Sequence, residues 1–304
     1  ITALAGKAAG VQINKNSSCI GGSAKVSLRG IRSASGDNQP LYVIDGVPML
    51  NIGTEQAYSA IGGTANAGNR DGGDGISNLN PEDVESISIL KGAPAAALYG
   101  SQAANGVILI TTKKGNTAGQ RNIYFSTGLT FDKAFSLPKM QNCYGVSDVV
   151  DSWGEKAYLP TSNELNDFFR TGLTSITSVS VNYGNEKIQT YFSYANTTGR
   201  GIVDKNQLTK HNINLRETAV MFNQRLKLDG NVNVMRQIVK NKPVSGGFYM
   251  NPLVGLYRFP RGEDLSYYKD NYEIYDPERK LGIQNWHTFT EDFAVSYTHL
   301  TLPT

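Results

Sequence analysis

Residues Asn80 to Gly115 read NPEDVESISILKGAPAAALYGSQAANGVILITTKKG and are the most informative stretch of this 304-residue chain. Two apolar runs typical of strands, Val84 to Leu90 and Gly106 to Lys113, enclose a stretch of small residues, Ala93 to Ala104. Glycine and proline interrupt the pattern on both sides, which favours a tight turn and a short helix between two strands. The sequence therefore predicts a compact β-α-β unit whose helix carries little bulk.

Further short strands are predicted upstream of this unit. Val26 and Leu28 alternate with polar residues, and Leu41 to Ile44 is a continuous apolar run. That run ends at Asp45-Gly46, a dipeptide typical of turns. Together these segments predict a small α+β domain around a mixed sheet within residues 1–116.

After a linker at Asn116 to Gln120 the pattern changes to a period of two, with one apolar and one polar face. Strands of about ten residues with this alternation suit a transmembrane barrel, with lipid outside and water inside. A soluble sandwich alternates similarly, so the barrel interpretation depends on the domain that precedes these strands. Residues 117–304 are thus predicted to hold long alternating strands of one of these two kinds, with an aperiodic outward loop from Phe248 to Asp276. The apolar positions are Ile123, Phe125, Leu129, Phe131, Val179, Val181, Tyr183, Ile188, Phe192, Tyr194, Ile213, Leu215, Leu226, Leu228, Val232 and Val234.

Composition and motifs exclude several classes of protein. No run of about 18 apolar residues occurs, which argues against a spanning helix. The net charge of +3 is small and scattered, which argues against nucleic acid as a partner. Cys19 and Cys143 have no metal-ligand spacing, and no GxSxG, HExxH or Walker motif is present. We therefore predict no enzymatic activity, no metal and no cofactor.

The stretch Asn80 to Gly115 and the upstream run SLRGIRSASGDNQPLYVIDGVPM, Ser27 to Met49, resemble the plug domain of TonB-dependent outer-membrane receptors. More narrowly, they resemble the SusC/RagA family of Bacteroidota, which imports glycans or peptides. The resemblance implies an α+β plug domain followed by the first strands of an antiparallel transmembrane β-barrel, located in the outer membrane. The partners it implies are TonB with ExbB and ExbD, a SusD/RagB-like lipoprotein, the glycan or peptide substrate, and outer-membrane lipid.

Both ends of the chain are expected to be cut. Residue Ile1 is preceded by no export signal, and the segment that binds TonB in the family would lie upstream of it. At the other end, Ser296 to Thr304 resembles translated adapter sequence and is interpreted as non-native. The chain is therefore expected to be a fragment of a receptor.

Charged residues within the plug motifs are candidates for contacts between plug and barrel. Charged hydrogen-bonded pairs suit a plug that must stay seated and yet be displaced, because water can replace them. Pairing within the plug is the alternative. These candidates are Arg29, Asp45, Glu85 and Lys91.

The glycine-rich stretch Ile61 to Gly75 predicts either a mobile surface loop or a plug loop that faces the ligand. The candidates for contact with substrate are Asn51, Tyr58, Asn69, Arg70 and Asp71. The function implied by the resemblance is TonB-dependent import of oligosaccharides or peptides, with the plug gating the barrel. The alternatives are a receptor for a siderophore or cobalamin, and a glycan-binding surface protein that transports nothing.

Overall fold

The structure is a computed structural model that describes residues 9–15, 20–30, 38–49, 73–146, 152–156, 164–243, 253, 256–257, 259–271, 273–277 and 280–284. The helices in these ranges are α1 (Ala93–Tyr99), α2 (Glu164–Phe168) and α3 (Leu265–Asp270). The strands are β1 (Val11–Lys15), β2 (Ala24–Leu28), β3 (Leu41–Ile44), β4 (Val47–Met49), β5 (Val84–Leu90), β6 (Val107–Thr112), β7 (Asn122–Asp132), β8 (Gly172–Gly184), β9 (Ile188–Arg200), β10 (Gln207–Met221), β11 (Leu226–Lys240), β12 (Glu273–Asp276) and β13 (Leu281–Gln284).

The N-terminal part contains a mixed sheet with the strand order β4-β3-β6-β5. Strand β3 runs parallel to β6, whereas β5 pairs with β6 antiparallel. The strand-helix-strand order is as predicted, and the two strands of this unit lie side by side in antiparallel orientation. Helix α1 is about 10 Å long, which is too short to carry the chain back along β5 for a parallel crossover.

The mixed sheet is covered by apolar groups on both faces. On one face the β1–β2 pair packs against the sheet, and Tyr42 and Ile108 are fully buried there. On the other face Val43 and Val107 pack against Ala95 and other small residues of α1 and the turn after it. Small side chains let the short helix lie close to the sheet, which explains the alanine-rich sequence of this segment.

Strands β7 to β11 form a separate sheet, called here the strand wall, in which each strand pairs antiparallel with the next. The alternation predicted from the sequence sets its two faces. On β10 the polar side chains of Asn212, Asn214 and Arg216 are buried, whereas Ile213 and Leu215 are 43% and 45% exposed. The buried face of the wall is therefore polar and the exposed face apolar, the reverse of a soluble sheet.

The mixed sheet and the strand wall are separate sheets: β6 belongs to the mixed sheet, and β7 belongs to the strand wall. The division of the chain near residue 116 stays a prediction. Among the described helices, none has the length and apolar character needed to cross a membrane.

The long connections at one end of the wall pack together around a small apolar core. Leu165 of α2 and Leu265 of α3 are buried with Leu256 and Phe259. The described part of the loop predicted from Phe248 to Asp276 contains two short elements, α3 and β12. The sequence does not reveal these elements, because α3 has six residues and β12 has four, which is too few to show a periodic pattern.

Candidate functional site

The contact between the mixed sheet and the strand wall, called here the seam, is centred on a buried arginine. The Nη1 group of Arg216 donates to Asp45 Oδ2 at 2.9 Å and to Thr112 Oγ1 at 2.6 Å. Its Nε and Nη2 groups donate to both oxygens of Asp229 at 2.9 and 2.8 Å. A planar guanidinium suits this arrangement because its fork matches a carboxylate on one side and leaves a donor for another. These four residues are called the Arg216 cluster.

Asp45 reaches the cluster because of the turn in which it lies. Asp45 and Gly46 have φ angles of 49° and 87°, both in the left-handed region that a two-residue hairpin between β3 and β4 requires. The Asp45 carboxylate accepts the backbone N–H of Thr112 at 2.9 Å and its hydroxyl at 2.5 Å. The carboxylate is therefore fixed at the end of β6, facing β10.

The surroundings of Asp45 act on its proton affinity in both directions. Burial alone would raise the pKa of this carboxyl. The two hydrogen bonds from Thr112 and the positive charge of Arg216 outweigh burial, so the pKa of Asp45 lies below its ordinary value of 3.8. Asp45 is therefore ionised in the assembled seam at neutral pH.

A second buried contact joins Asp83 to the wall. Asp83 ends a 3-10 turn, Pro81–Asp83, whose start is capped by the Asn80 side chain. The hydroxyl of Tyr191 on β9 donates to Asp83 Oδ1 at 3.0 Å, and the two residues are 1% and 0% exposed. The seam thus contains two carboxylates from the N-terminal part of the chain, Asp45 and Asp83, and each accepts a hydrogen bond from a side chain of the wall.

Other wall side chains donate to backbone carbonyl groups across the seam. Asn212 Nδ2 donates to Asn78 O at 2.6 Å, and Lys210 Nζ donates to Ser77 O at 3.0 Å. Because each of these contacts is a single hydrogen bond, each can be exchanged for water separately, at a net cost of about 1 kcal/mol.

No cluster of buried apolar residues bridges the seam in the described chain. Of its three clusters of buried apolar residues, two lie wholly within residues 11–110 and one lies within the long connections beyond the wall. None contains residues of both the mixed sheet and the wall. The buried contacts across the seam described above are therefore polar. Apolar side chains also cross it at the loop between β1 and β2, where Val239 lies against Gly21 and Ile20 lies against Gly199.

The linker after β6 lies so close to the wall that two glycines are required. A Cβ on Gly115 would lie 2.4 Å from Thr190 N, and one on Gly184 would lie 2.3 Å from Asn116 O. The Gly119 N–H donates to Gly184 O at 2.8 Å, which adds a hydrogen bond to the same contact. The linker is thereby held against the β8–β9 hairpin.

Comparison with known proteins shows to which family a chain with these two sheets belongs. A family model described as "TonB-dependent Receptor Plug Domain" matches residues 1–107. The TonB-dependent receptor SusC of Bacteroides thetaiotaomicron is 33% identical over 243 residues, which cover 76% of this chain and 22% of SusC. The chain belongs to the SusC/RagA-like TonB-dependent receptors. Its mixed sheet with the β1–β2 pair is the plug, and the seam is the contact between plug and barrel wall.

Two further proteins are similar to this receptor chain. The TonB-dependent receptor P26 of Formosa agariphila is 29% identical over 223 residues, 69% of this chain and 20% of P26. The chain thus spans 22% and 20% of the lengths of these two curated relatives. A solved structure of the RagAB peptide importer in the "closed-closed" state matches 77% of this chain and 28% of that chain, with a TM-score of 0.59. At 20% sequence identity this match concerns the fold alone.

The predicted contact residues fall into different places in the receptor. Asp45 lies in the seam, against Arg216. Lys91 Nζ donates to Ala9 O, and the Arg29 guanidinium lies beside Gly92, so both are placed within the plug. Glu85 is exposed on β5. The predicted substrate-facing residues Asn51, Tyr58, Asn69, Arg70 and Asp71 lie outside the described residues.

Arg216, Tyr191 and Asp229 are seam residues that the sequence analysis missed. Alternation alone places Arg216 on the polar face of β10, together with Asn212 and Asn214. That pattern was available in the sequence, but it does not tell which polar side chain meets a carboxylate about 170 residues away in the chain.

No group of three or more His, Cys, Asp or Glu side chains suited to a metal occurs among the described residues. Asp74, which follows the glycine-rich stretch, uses both carboxylate oxygens within the plug. They accept the backbone N–H groups of Ala24 and Ser77, each at 2.7 Å. This carboxylate therefore organises the plug backbone.

Proposed function

We propose that this chain supplies the plug and the first wall strands of an outer-membrane receptor that imports oligosaccharides, with TonB supplying the energy. The plug closes the barrel, and force transmitted through TonB displaces it when substrate is bound. ExbB and ExbD couple TonB to the proton-motive force, and a SusD/RagB-like lipoprotein covers the outer mouth. Peptides are the second substrate class, in keeping with the description of RagAB as a peptide importer.

The polar seam is the observation that carries this proposal. A gate must be held at rest and released by a modest force, so its contacts must be breakable one at a time. An apolar interface would resist withdrawal by about 25 cal/mol for each Å² exposed to water. The centre of the seam instead consists of single hydrogen bonds around one ion-paired cluster, in which the Asp45 and Arg216 side chains are 17% and 5% exposed.

Energy coupling can be tested by uptake of a labelled oligosaccharide through the full-length receptor in cells. We expect uptake to stop in cells that lack TonB, and in cells treated with a protonophore. Undiminished uptake under either condition would contradict the coupled mechanism and indicate passive diffusion through an open pore. A plug-deleted receptor serves as the open-pore control, since its uptake should be insensitive to both treatments.

The alternatives predict different results in simple assays. A siderophore or cobalamin receptor would bind a metal chelate in competition with oligosaccharide. A glycan-binding surface protein without transport would bind sugar but would deliver none to the periplasm. Parallel assays with oligosaccharides, peptides and metal chelates, scored for binding and for periplasmic delivery, separate all of these functions.

A further inference from the structure

The exposed face of the strand wall changes character toward one end. Short turns, at residues 185–187 and 222–225, connect strands at one end of the wall, and long connections follow β7 and β11 at the other. In outer-membrane barrels the short turns face the periplasm and the long loops face the exterior. The inference below rests on the proposed function, since it uses this orientation.

Two registered rows of exposed-face residues are apolar across all five strands of the wall. The strand pairing aligns each residue with its neighbour on the next strand. The rows are Ile123, Val181, Phe192, Leu215 and Val232, and next to it Phe125, Val179, Tyr194, Ile213 and Val234. These rows form the part of the wall suited to lipid chains.

Toward the long connections the same face becomes basic on β9 to β11. The next aligned row places His211 beside Arg236, and two rows further Gln207 lies between Arg200 and Lys240. Arg200, Arg236 and Lys240 are exposed, and none of the three forms an ion pair within the described chain. No Asp or Glu occurs in the three aligned rows beyond the apolar ones. They contain Thr127, Thr177, Asn196, His211 and Arg236, then Leu129, Ser175, Thr198, Thr209 and Ile238, then Phe131, Leu173, Arg200, Gln207 and Lys240.

The spacing of these cations suits phosphate groups at a membrane surface. Arg200 and Lys240 flank Gln207 on either side, so their Cα atoms are about 10 Å apart. The nearby acidic residue Asp204 is already paired with Arg170 at 2.8 Å. Ile238 lies between Arg236 and Lys240 on the same face, so an acyl chain has an apolar surface beside the cations.

We propose that Arg200, Arg236 and Lys240 form a binding site for the phosphate groups of an anionic lipid in the outer leaflet. The lipid chains lie along the apolar rows, and the headgroup phosphates lie between the three cations. Long basic side chains are favourable at this depth, because each cation near a charged membrane surface strengthens binding. The site would attach the wall to its lipid surroundings at the level of the outer mouth.

The test uses the full-length receptor in detergent micelles, titrated with a phosphorylated diacyl glycolipid. Retained lipid is counted by native mass spectrometry, and the thermal unfolding midpoint is followed in parallel. We expect the double variant R200Q/K240Q to bind this lipid about thirtyfold more weakly than the unmodified receptor. We also expect the difference to shrink at high salt, since exposed charges are screened.

The matched control is K187Q/R225Q, which removes two exposed cations at the short-turn end of the wall. Its affinity for the lipid should stay within about twofold of the unmodified receptor, because these two cations lie at the opposite end of the wall and exposed charges act only over short distances. Inorganic phosphate should not displace the lipid, and the dephosphorylated glycolipid should bind equally to all variants. Equal affinity of R200Q/K240Q and the unmodified receptor, or full displacement by free phosphate, overturns the lipid site.

Insertion into bilayers separates this inference from the proposed function. A receptor that inserts and transports normally, but binds phosphorylated lipid equally with and without the two cations, contradicts the lipid site alone. A receptor that does not insert at all contradicts the proposed function. If R200Q/K240Q instead loses binding of a purified partner protein while its lipid binding is unchanged, the basic residues serve a protein contact and the lipid site is wrong.

Discussion

At the scale of single residues, Arg216 holds together groups from distant parts of the chain. Its side chain, 5% exposed, joins Asp45 of the plug to Asp229 of the neighbouring wall strand. One cation thus neutralises part of the charge of two carboxylates. The energetic importance of such a pair is seen when one member is removed, because the remaining charges stay buried without a partner.

Replacement of Arg216 by alanine is expected to loosen the plug. The loss of the cation leaves Asp45 and Asp229 to repel each other, and we expect about 3 kcal/mol less stability of the seated plug. Hydrogen exchange of the β3 and β6 amides in the full-length receptor measures this change. The variant Arg216→Lys keeps the charge but not the fork, so its effect should be smaller. Equal protection in R216A and the unmodified receptor would show that the cluster does not hold the plug.

Acidification is expected to weaken the same contact. The pKa of Asp45 is lowered in the seated plug, so its contribution is fully present above its ordinary value of 3.8. That contribution is lost as the pH falls further, through the lowered pKa, because the released plug then binds more protons. Exchange rates of the β3 amides should therefore rise more steeply below about pH 4 in the unmodified receptor than in Asp45→Asn. Parallel pH profiles in the two proteins would contradict this assignment.

Local sequence predicted some of these residues and could not predict others. Asp45 was identifiable because a hairpin dipeptide and a motif coincide there. Arg29 and Lys91 had equally plausible sequence contexts, yet they are placed within the plug. The difference arises from packing between the β1–β2 pair and the start of α1, which no local pattern encodes. Long-range pairing of charges follows from tertiary structure alone.

At the scale of elements, the contact of the linker with the β8–β9 hairpin depends on two glycines. In both positions a Cβ would meet backbone atoms, which cannot rotate away as a side chain can. The close approach fixes where the chain leaves the plug and enters the wall. If the plug is displaced as proposed above, the movement must begin elsewhere or must first break this contact.

Substitution of Gly115 by alanine is expected to separate the linker from the hairpin. The added methyl group overpacks a backbone contact, for which we expect a loss of about 1–3 kcal/mol. Limited proteolysis of the linker in the full-length receptor reports this separation as faster cleavage. Gly230→Ala is the control, since a Cβ there meets nothing within 4 Å. Equal cleavage rates in the two variants would refute the requirement for glycine.

The elements themselves were predicted to different degrees. Strands of the wall were predictable because alternation persists over 11 to 15 residues in each. The antiparallel pairing of β5 with β6 could not be predicted. The order of the elements follows from the sequence pattern, but the relative direction of two neighbouring strands does not. Helix α3 escaped detection because a helix of six residues has too few positions to show a period.

At the scale of the whole molecule, the wall exposes apolar side chains and buries polar ones. We expect Leu215→Arg, within the apolar rows, to lower the stability of the inserted full-length receptor by about 2–4 kcal/mol. Thr198→Arg, on the same face toward the long connections, should cost about 0–1 kcal/mol. Unfolding of each variant from lipid bilayers by denaturant measures both values. A larger loss for T198R than for L215R would place the membrane at the wrong height on the wall.

The shared core of the long connections bears on how such receptors can diversify. Leu165 lies in the connection after β7, whereas Leu256, Phe259 and Leu265 lie in the one after β11. A chimera that takes only one of these connections from a relative would lose the packing between the two halves of this core. Leucine and phenylalanine side chains of the retained connection would then be exposed to water. A functional exchange would then require both connections to be replaced together, although the four wall strands β8 to β11 separate them in the chain.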